Sequence, residues 1–191
     1  MRDLCMSDKA DLVSIVYDAI NEIGKQKIRS DVISNIKIAD EYIQRLFSRS
    51  SEQFSNKLDS NSLITMFEIL LHFMLTACTI PSQRKVKISH LTVDLVIPNL
   101  HTLSRSPNDA ILIQFIRSDK DMTTIDEILS LLKLKTEDLN MWLITTLDLH
   151  GKGSAHIINL SDSKIDCSHI IRDIDIFLKE RRDKSFRLVH F

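Results

Sequence analysis

Apolar residues recur at helical spacing in the first eighty residues and predict three amphipathic helices. The three apolar stripes cover residues 12–23, 32–47 and 63–77. Each has an ordinary helix boundary signal: Gly24 follows the first, Ser30 or Asp31 precedes the second, and Asp59, Ser60 or Asn61 precedes the third. Three helices in so short a length predict an antiparallel stack of helical hairpins.

The window after these helices has an ambiguous pattern. Residues 86–92 alternate in a way that permits a strand, but Ile88, Leu91 and Leu95 also fit one face of a helix that ends near Pro98. We favour the helix. All three prolines of the chain lie between Pro81 and Pro107, so this window separates two blocks.

The segment 108–165 has the element order of a winged helix-turn-helix domain. Residues 110–116 form a short helical stripe, Thr123 or Thr124 caps the next helix, and Thr136 starts a third. Two of the three glycines, at 151 and 153, then predict a tight turn before a strand over 154–160. This order of elements, which is helix, helix, turn, helix, glycine turn and strand, is that of a winged helix.

These patterns predict a mainly α chain. We expect helical hairpins over 1–80, a proline-containing connector over 81–107, a winged helix-turn-helix over 108–165, and a C-terminal helix and tail over 166–191. Residues 179–184 carry mixed charges and predict a solvated helix end.

Composition supports a helical chain and narrows the function. With only three glycines and three prolines, a phosphate-binding glycine loop and a turn-rich β fold are both disfavoured. The formal net charge of −1 lacks the basic excess of most nucleic-acid binders, although a local basic patch stays open. Three widely spaced cysteines and the absence of an apolar leader predict a cytoplasmic protein, and the apolar run 63–80 predicts a buried helix with no membrane partner.

The third helix of the predicted winged domain is poorly suited to reading DNA. Residues 136–148 contain three carboxylates and no lysine or arginine. Without an arginine to read guanine, and with acidic side chains facing phosphate, direct recognition of duplex DNA is disfavoured. Met141 and Ile144 on its outward face suit a protein partner, or are covered by other parts of this chain.

Helical hairpins followed by a winged helix and a terminal helix resemble PCI-domain scaffold proteins, most of all the k subunit of eukaryotic translation initiation factor three. The resemblance covers 113–177, with matching stretches at 125–126, 139–143, 156–160, 163–165 and 169–175. It implies a non-enzymatic scaffold subunit in translation initiation, with other protein subunits as partners and no cofactor, metal or small-molecule ligand.

The same resemblance implies how neighbouring subunits bind. The edge strand would extend a shared sheet, and the terminal helix would join a helical bundle. The outward face of the third predicted helix of the winged domain adds a further surface. Together these surfaces give the predicted partner-binding residues, which are Met141, Ile144, His156, Ile158, Ile170, Ile174, Phe177 and Leu178. A winged-helix transcriptional regulator that binds DNA is the alternative function.

A third interpretation follows from a resemblance to restriction-enzyme-like nucleases. These hold a metal with an Asp on one strand and a Glu-x-Lys on the next. Asp94, with Glu68 as a helix carboxylate, has a similar outline. Gln114 stands where the second carboxylate is expected and Ile116 where the lysine is expected, while Arg117 is expected on the opposite face. The sequence therefore predicts at most a degenerate fold of this type.

Other candidate chemistry is sparse. His150 and His156 flank the predicted wing without a carboxylate or cysteine at ligand spacing, which predicts surface histidines. Glu68 and His72 lie four residues apart on one helix face, which permits an acid–base pair. A buried pair that satisfies its own hydrogen bonds is the favoured interpretation.

Overall fold

The computed structural model describes residues 6–53, 58–133, 139–149, 155–160 and 169–187. The α-helices in these ranges are α1 (Met6–Ile23), α2 (Lys25–Ser34), α3 (Ala39–Glu52), α4 (Ser60–Ala77), α5 (Leu100–Arg105), α6 (Asp119–Leu132) and α7 (Ile170–Arg187). The strands are β1 (Gln83–Ile88), β2 (Leu91–Ile97), β3 (Ile111–Ile116), β4 (Asn140–Thr145) and β5 (His156–Asn159). Short 3-10 turns precede α3 and β3, at Ile36–Ile38 and Pro107–Asp109.

The five strands form one mixed sheet in the order β1-β2-β3-β4-β5. The pairs β1/β2 and β2/β3 are antiparallel, whereas β3/β4 and β4/β5 are parallel. The helix α6 lies between β3 and β4 in the chain, as the crossover between two parallel strands requires. The sheet therefore combines a hairpin half with a parallel half.

Two hydrophobic cores cover the two faces of the sheet. The larger core joins α1–α4 and α7 to residues on one face of β2–β5, among them Leu95, Ile113 and Ile144. The smaller core joins α5 and α6 to the other face, with Val96 and Leu112 among its members. The architecture is a layered α/β fold, so the prediction of a mainly α chain is wrong.

The window 86–97 is a β-hairpin, and the favoured helix is wrong there. Ile88 pairs with Leu91 across a two-residue turn, and the register continues to Gln83 opposite Val96. Val93 and residues 95–97 are buried in the sheet. Tertiary pairing with β3 decides between two periodicities that the sequence leaves nearly equal.

The predicted winged helix-turn-helix is also wrong. Residues 111–116 form the central strand β3, and all six are buried. A strand that is buried on both faces consists of a continuous run of apolar residues. Over only six residues, such a run cannot be distinguished from the apolar stripe of a helix. Residues 140–145 form β4 in place of the third helix. The predicted wing, with His150 and the glycines at 151 and 153, lies outside the described residues.

The helices α1 and α4 agree with the first and third apolar stripes of the sequence, and α7 agrees with the predicted C-terminal helix. Gly24 follows α1 with a φ of 97°, which is a backbone conformation that glycine adopts without strain. Asp59 caps α4, because its Oδ1 accepts a hydrogen bond of 2.7 Å from the backbone N–H of Ser62. The second predicted helix is instead divided into α2 and α3 by the turn that begins at Asn35.

The helix α4 is apolar enough, over its 18 residues, to meet the length and hydropathy of a membrane span. Eleven of its residues are buried against the other elements of the fold. A core helix that is covered on several sides has the same composition as a membrane span, and the packing accounts for the apolar sequence of α4.

Helix α6 begins at Asp119, with Ser118 as its cap in place of the predicted Thr123 or Thr124, because Asp121 anchors its first turn. The Oδ2 atom of Asp121 accepts hydrogen bonds from the backbone N–H groups of Arg117 and Ser118, at 2.8 and 2.9 Å. A carboxylate in the first turn also complements the positive end of the helix dipole.

We expect Asp121→Ala to lower the free energy of unfolding by about 1–2 kcal/mol, since two backbone donors lose their acceptor. Urea unfolding monitored by circular dichroism measures this change. Asp119→Ala removes an exposed carboxylate from the same turn and serves as the matched control, with an expected loss of about 0.5 kcal/mol. Equal losses in the two variants would contradict an anchoring role for Asp121.

Candidate active site

Five charged side chains meet where the middle of α4 faces the hairpin and the end of β3. Glu68 comes from α4, Arg84 and Lys85 from β1, Asp94 from β2, and Arg117 from the residue after β3. Lys85 Nζ lies 2.6 Å from Asp94 Oδ1 and 3.0 Å from Glu68 Oε1. A single ammonium group therefore joins a strand carboxylate to a helix carboxylate. We name these five residues the charged cluster.

The hairpin brings Lys85 to this position through an irregularity in its strands. Lys85 has a φ of 47°, in the left-handed region that residues other than glycine rarely adopt. On the opposite strand, Val93 belongs to the smaller core and Leu95 to the larger one, although regular alternation would place both on one face. Irregularities of this kind redirect side chains beside functional sites. Here they allow consecutive residues, Arg84 and Lys85, both to reach Glu68.

Asp94 is held in place by the neighbouring strand. Its Oδ2 accepts a hydrogen bond of 2.9 Å from the backbone N–H of Phe115, and its own N–H donates to Gln114 Oε1 at 3.1 Å. Gln114 therefore supports Asp94, and its side chain does not occupy the position of a second carboxylate ligand. With a side chain only 9% exposed, Asp94 presents its remaining acceptor capacity toward Lys85.

Glu68 is the most heavily paired carboxylate of the charged cluster. Its Oε1 contacts Lys85 and Arg84, the latter at 3.3 Å, and its Oε2 lies 2.8 Å from Arg117 Nη2. Burial is the largest influence on the pKa of Glu68 and acts to raise it. The hydrogen bond and charge of Lys85, together with Arg117, outweigh burial and hold the pKa below its usual value. Glu68 is therefore ionised at neutral pH.

Arg117 lies on the side of β3 that faces α4. Phe115 and Arg117 are two residues apart and share the α4 side, and the Arg117 guanidinium lies 5.8 Å from the Phe115 ring centroid. The resemblance to nucleases predicts a site on the face of Gln114 and Ile116. The structure confirms that Arg117 lies on the opposite face, and that face carries the charged cluster, so the expected face of the site is wrong.

The charged cluster borders a cavity of about 550 Å³. Its lining residues are Val13, Tyr17, Asn61, Thr65, Glu68, Ile69, His72, Arg84, Lys85 and Arg117. Two carboxylates and three cations give the charged cluster a formal charge of +1, although the whole chain carries −1. The cavity is therefore a local cationic site of the kind that binds phosphate.

His72 does not form the predicted pair with Glu68. The carboxylate oxygens of Glu68 bond to cations, and His72 Nδ1 is buried without a hydrogen-bond partner among the described residues. Burial, followed by the charge of Arg84, lowers the pKa of His72 below its usual value. His72 is therefore an uncharged residue in the lining of the cavity at neutral pH.

The charged cluster contains two carboxylates of the kind that bind a divalent cation together with a phosphate, and the Lys85 ammonium lies between them. Among the described residues no group of three or more His, Cys, Asp and Glu side chains converges, so the protein alone does not form a complete cage. Magnesium is commonly held by one or two carboxylates, with substrate phosphate oxygens and water completing its shell. Glu68 and Asp94 face one ammonium and provide two such carboxylates.

The residues predicted to bind a partner lie apart from this site, and most are buried within the chain. Met141 belongs to the smaller core, and Ile144, Ile158, Ile170 and Ile174 to the larger one. These five side chains are at most 4% exposed, because the sheet faces and α7 are covered by other elements.

The other three predicted residues retain exposed surface. Phe177 and Leu178 are half-buried against the larger core. His156 is exposed on β5, and its ring centroid lies 5.1 Å from that of Trp142. Of the predicted partner-binding residues, only these three side chains therefore have surface available for a partner.

Comparison with known proteins finds similarity in structure alone. No protein-family model and no curated protein sequence matches the chain. The structure of the restriction endonuclease PspGI bound to substrate DNA is similar, with a TM-score of 0.57 and 15% identity over 88% of this chain and 93% of that one. Metal-depleted Ecl18kI bound to uncleaved, modified DNA has a TM-score of 0.58 and 13% identity over 88% of this chain and 79% of that one.

These similarities establish a restriction-endonuclease fold and correct the functional expectations. The resemblance to PCI-domain scaffolds is wrong, since the similar structures are mixed α/β endonucleases. The expectation of a non-enzymatic scaffold in translation initiation, with only protein partners, is contradicted by a fold whose similar structures are enzymes in DNA complexes. Of the three interpretations drawn from the sequence, the nuclease-like fold agrees with the structure.

Proposed function

We propose that this chain hydrolyses phosphodiester bonds in DNA, with the charged cluster as its active site. The observation that carries the proposal is the convergence of Glu68 and Asp94 on Lys85 at the edge of a cationic cavity. The fold supports it, because PspGI and Ecl18kI are restriction endonucleases in complex with DNA.

The arginines of the charged cluster are suited to binding the phosphate. Arg84 and Arg117 both line the cavity, and their side chains are 38% and 31% exposed. A guanidinium group pairs with phosphate through parallel hydrogen bonds, so either arginine can exchange Glu68 for a phosphate oxygen. With so few cations involved, binding would depend less steeply on salt than it does in proteins that contact many phosphates.

Lys85 is suited to stabilise charge and not to remove a proton. Burial is the largest influence on the pKa of Lys85 and acts to lower it, but the hydrogen bond and charge of Asp94 and the contact with Glu68 hold the pKa above its usual value. The ammonium group therefore stays protonated at neutral pH. In this state it can donate to the phosphate as negative charge develops during attack by water.

Glu68 and Asp94 are the residues that would hold a divalent cation together with the phosphate. Such a cation supplies Lewis-acid stabilisation of the phosphate charge. The backbone N–H of Phe115 and the side chain of Gln114 keep Asp94 oriented for this role. The net reaction adds water to phosphorus and breaks one phosphorus–oxygen bond, leaving a phosphate monoester and a hydroxyl.

A cleavage assay with the purified chain tests the proposal. We expect plasmid and oligonucleotide DNA to be cut in the presence of Mg²⁺ or Mn²⁺, and cleavage to stop in EDTA. Glu68→Gln, which removes one carboxylate charge from the charged cluster, would reduce cleavage at least about 100-fold. The absence of cleavage of every DNA form with every divalent cation, by a chain that is folded by circular dichroism, would refute the proposed function.

A further inference from the structure

The Lys85 ammonium supplies positive charge to the same two carboxylates that would hold a metal. Its Nζ atom is 2.6 Å from Asp94 Oδ1 and 3.0 Å from Glu68 Oε1, and the two carboxylate side chains are only 9% and 11% exposed. A second cation at such a pair is repelled strongly by the first, because a largely buried site screens charges less than water does. Lys85 and a divalent cation therefore compete for Glu68 and Asp94.

Asp94 depends on Lys85 more than Glu68 does. Glu68 also pairs with the two arginines of the charged cluster, at 3.3 and 2.8 Å. Asp94 Oδ2 accepts the backbone N–H of Phe115, and among the described residues Lys85 is the one ion-pair partner of this carboxylate. Removal of the ammonium would leave Asp94 Oδ1 without a positive partner in a buried position, which is costly unless another cation takes its place.

The side chain of Lys85 is free to move toward a bound substrate. It is 49% exposed and lines the cavity together with Arg84 and Arg117. A phosphate that these arginines bind would offer oxygen acceptors in the same cavity. An ammonium group carries three donors on a flexible stem, so rotation about the side-chain bonds can turn it from the carboxylates to such a phosphate.

We infer that Lys85 keeps divalent cations out of the free site by occupying their place between Glu68 and Asp94, and that it releases both carboxylates when a substrate phosphate accepts its hydrogen bonds. The inference rests on the proposed function and gives Lys85 a second role in it, as the residue that makes metal uptake depend on substrate. Binding of phosphate and binding of metal are then positively coupled, and by linkage each raises the affinity of the site for the other.

Mn²⁺ binding to the full chain without DNA provides the test, and electron paramagnetic resonance of free Mn²⁺ measures it. Lys85→Met keeps the length of the side chain and removes its charge, so this variant is expected to bind Mn²⁺ roughly 5- to 150-fold more tightly than wild type. Lys85→Arg keeps a positive charge and is expected to bind Mn²⁺ as weakly as wild type. Equal affinities of wild type and Lys85→Met would overturn the inference.

Two further variants show whether the Mn²⁺ lies at this site. Lys85→Met combined with Asp94→Asn removes a carboxylate as well as the ammonium and is expected to lose the gain in affinity. Lys87→Met removes an exposed lysine from the same strand, outside the cavity, and is expected to bind Mn²⁺ like wild type. A gain that persists in the double variant, or that appears in Lys87→Met, would place the metal elsewhere and overturn the inference.

A measurement on the wild-type chain keeps the inference open to refutation if Lys85→Met does not fold. Dimethyl phosphate carries the charge and the oxygen acceptors of a DNA phosphodiester without a sugar or a base. Near saturation, this diester is expected to tighten Mn²⁺ binding at least about fivefold in wild type, and by less in Lys85→Met, where no ammonium has to move. Unchanged Mn²⁺ affinity of wild type in the presence of the diester would overturn the inference.

The outcomes separate the inference from the proposed function. Equal Mn²⁺ affinities of wild type and Lys85→Met, in a wild-type chain that cleaves DNA with Mg²⁺, would overturn the inference alone. Tighter Mn²⁺ binding by Lys85→Met, together with the effect of the diester on a wild-type chain that cleaves no DNA, would support the inference and refute the proposed hydrolysis.

Discussion

Asp94→Asn is expected to reduce DNA cleavage by about 100- to 1,000-fold while DNA binding is retained. The substitution removes the strand carboxylate from the charged cluster and leaves the three cations in place. Asparagine keeps one side-chain oxygen, which can still accept the hydrogen bond from Phe115 N–H. The local charge becomes more positive, so phosphate affinity should stay equal or rise. Gel-based cleavage rates with Mg²⁺ and anisotropy in EDTA measure the two effects.

Two further variants make the result for Asp94 interpretable. Asp126→Asn removes an exposed carboxylate from α6 and is expected to cleave like wild type. If Asp94→Asn does not fold, Glu68→Gln tests the same cluster from α4, where the side chain is not bonded to the sheet backbone. Wild-type cleavage by a folded Asp94→Asn variant would exclude the charged cluster as the active site.

Asp40→Ala is expected to lower the free energy of unfolding by about 2–3 kcal/mol at neutral pH. Asp40 lies in the first turn of α3 and is 3% exposed. Its two carboxylate oxygens accept hydrogen bonds from the backbone N–H groups of Ile171 and Arg172, at 2.8 and 3.3 Å. These are first-turn donors of α7, and without Asp40 they stay unpaired in a buried site. Urea unfolding measures the loss.

The same carboxylate gives stability a pH dependence of defined sign. Burial, the largest influence, raises the pKa of Asp40 to about 6, although the hydrogen bonds from Ile171 and Arg172 act to lower it. Because the unfolded chain has a pKa near 3.8, the native state binds the proton more tightly. The contribution of this group is fully present below pH 3.8 and is lost as pH rises through 6. Two pKa units correspond to about 3 kcal/mol.

Asp40→Asn isolates this contribution. The amide keeps an acceptor for α7 but has no charge to bury, so the difference in unfolding free energy between wild type and Asp40→Asn is expected to fall as pH rises from 4 to 6. Glu41→Gln, an exposed neighbour on α3, is the matched control and is expected to keep the wild-type pH profile. A constant difference between wild type and Asp40→Asn over this range would contradict the assigned pKa.

The candidate site was partly accessible from the sequence. Asp94 and Glu68 follow from a resemblance to nucleases, but Lys85 does not, because that pattern expects its lysine at Ile116. The hairpin provides a signal for Lys85 in the sequence. With Ser89 and His90 as a two-residue turn, pairing Ile88 with Leu91 places Lys85 opposite Asp94 by counting back along each strand. A helix over 86–97 would not place these two residues opposite each other.

The choice of sheet face could not be made from the sequence. Residues 111–116 are buried on both sides, so their apolar pattern does not distinguish the face of Gln114 from the face of Phe115 and Arg117. The packing of α4 against the face of Phe115 and Arg117 decides which face carries the site, because Glu68 lies on α4 and pairs with Arg117. That contact joins residues 49 positions apart, a separation over which local periodicity carries no information.

The sequence by itself determined the long amphipathic helices α1, α4 and α7, because a helical stripe of many residues is a local property that tertiary contacts only complete. It also determined that two carboxylates, at 68 and 94, were candidates for chemistry. Tertiary structure alone decided that the short apolar runs at 111–116 and 140–145 are strands, since isolated runs of this length suit either helix or strand. It also decided that the strand predicted from the sequence, at 156–159, pairs with them in one sheet. It also decided that the cations of the site come from β1 and from beyond β3, because only the folded sheet brings them to Glu68.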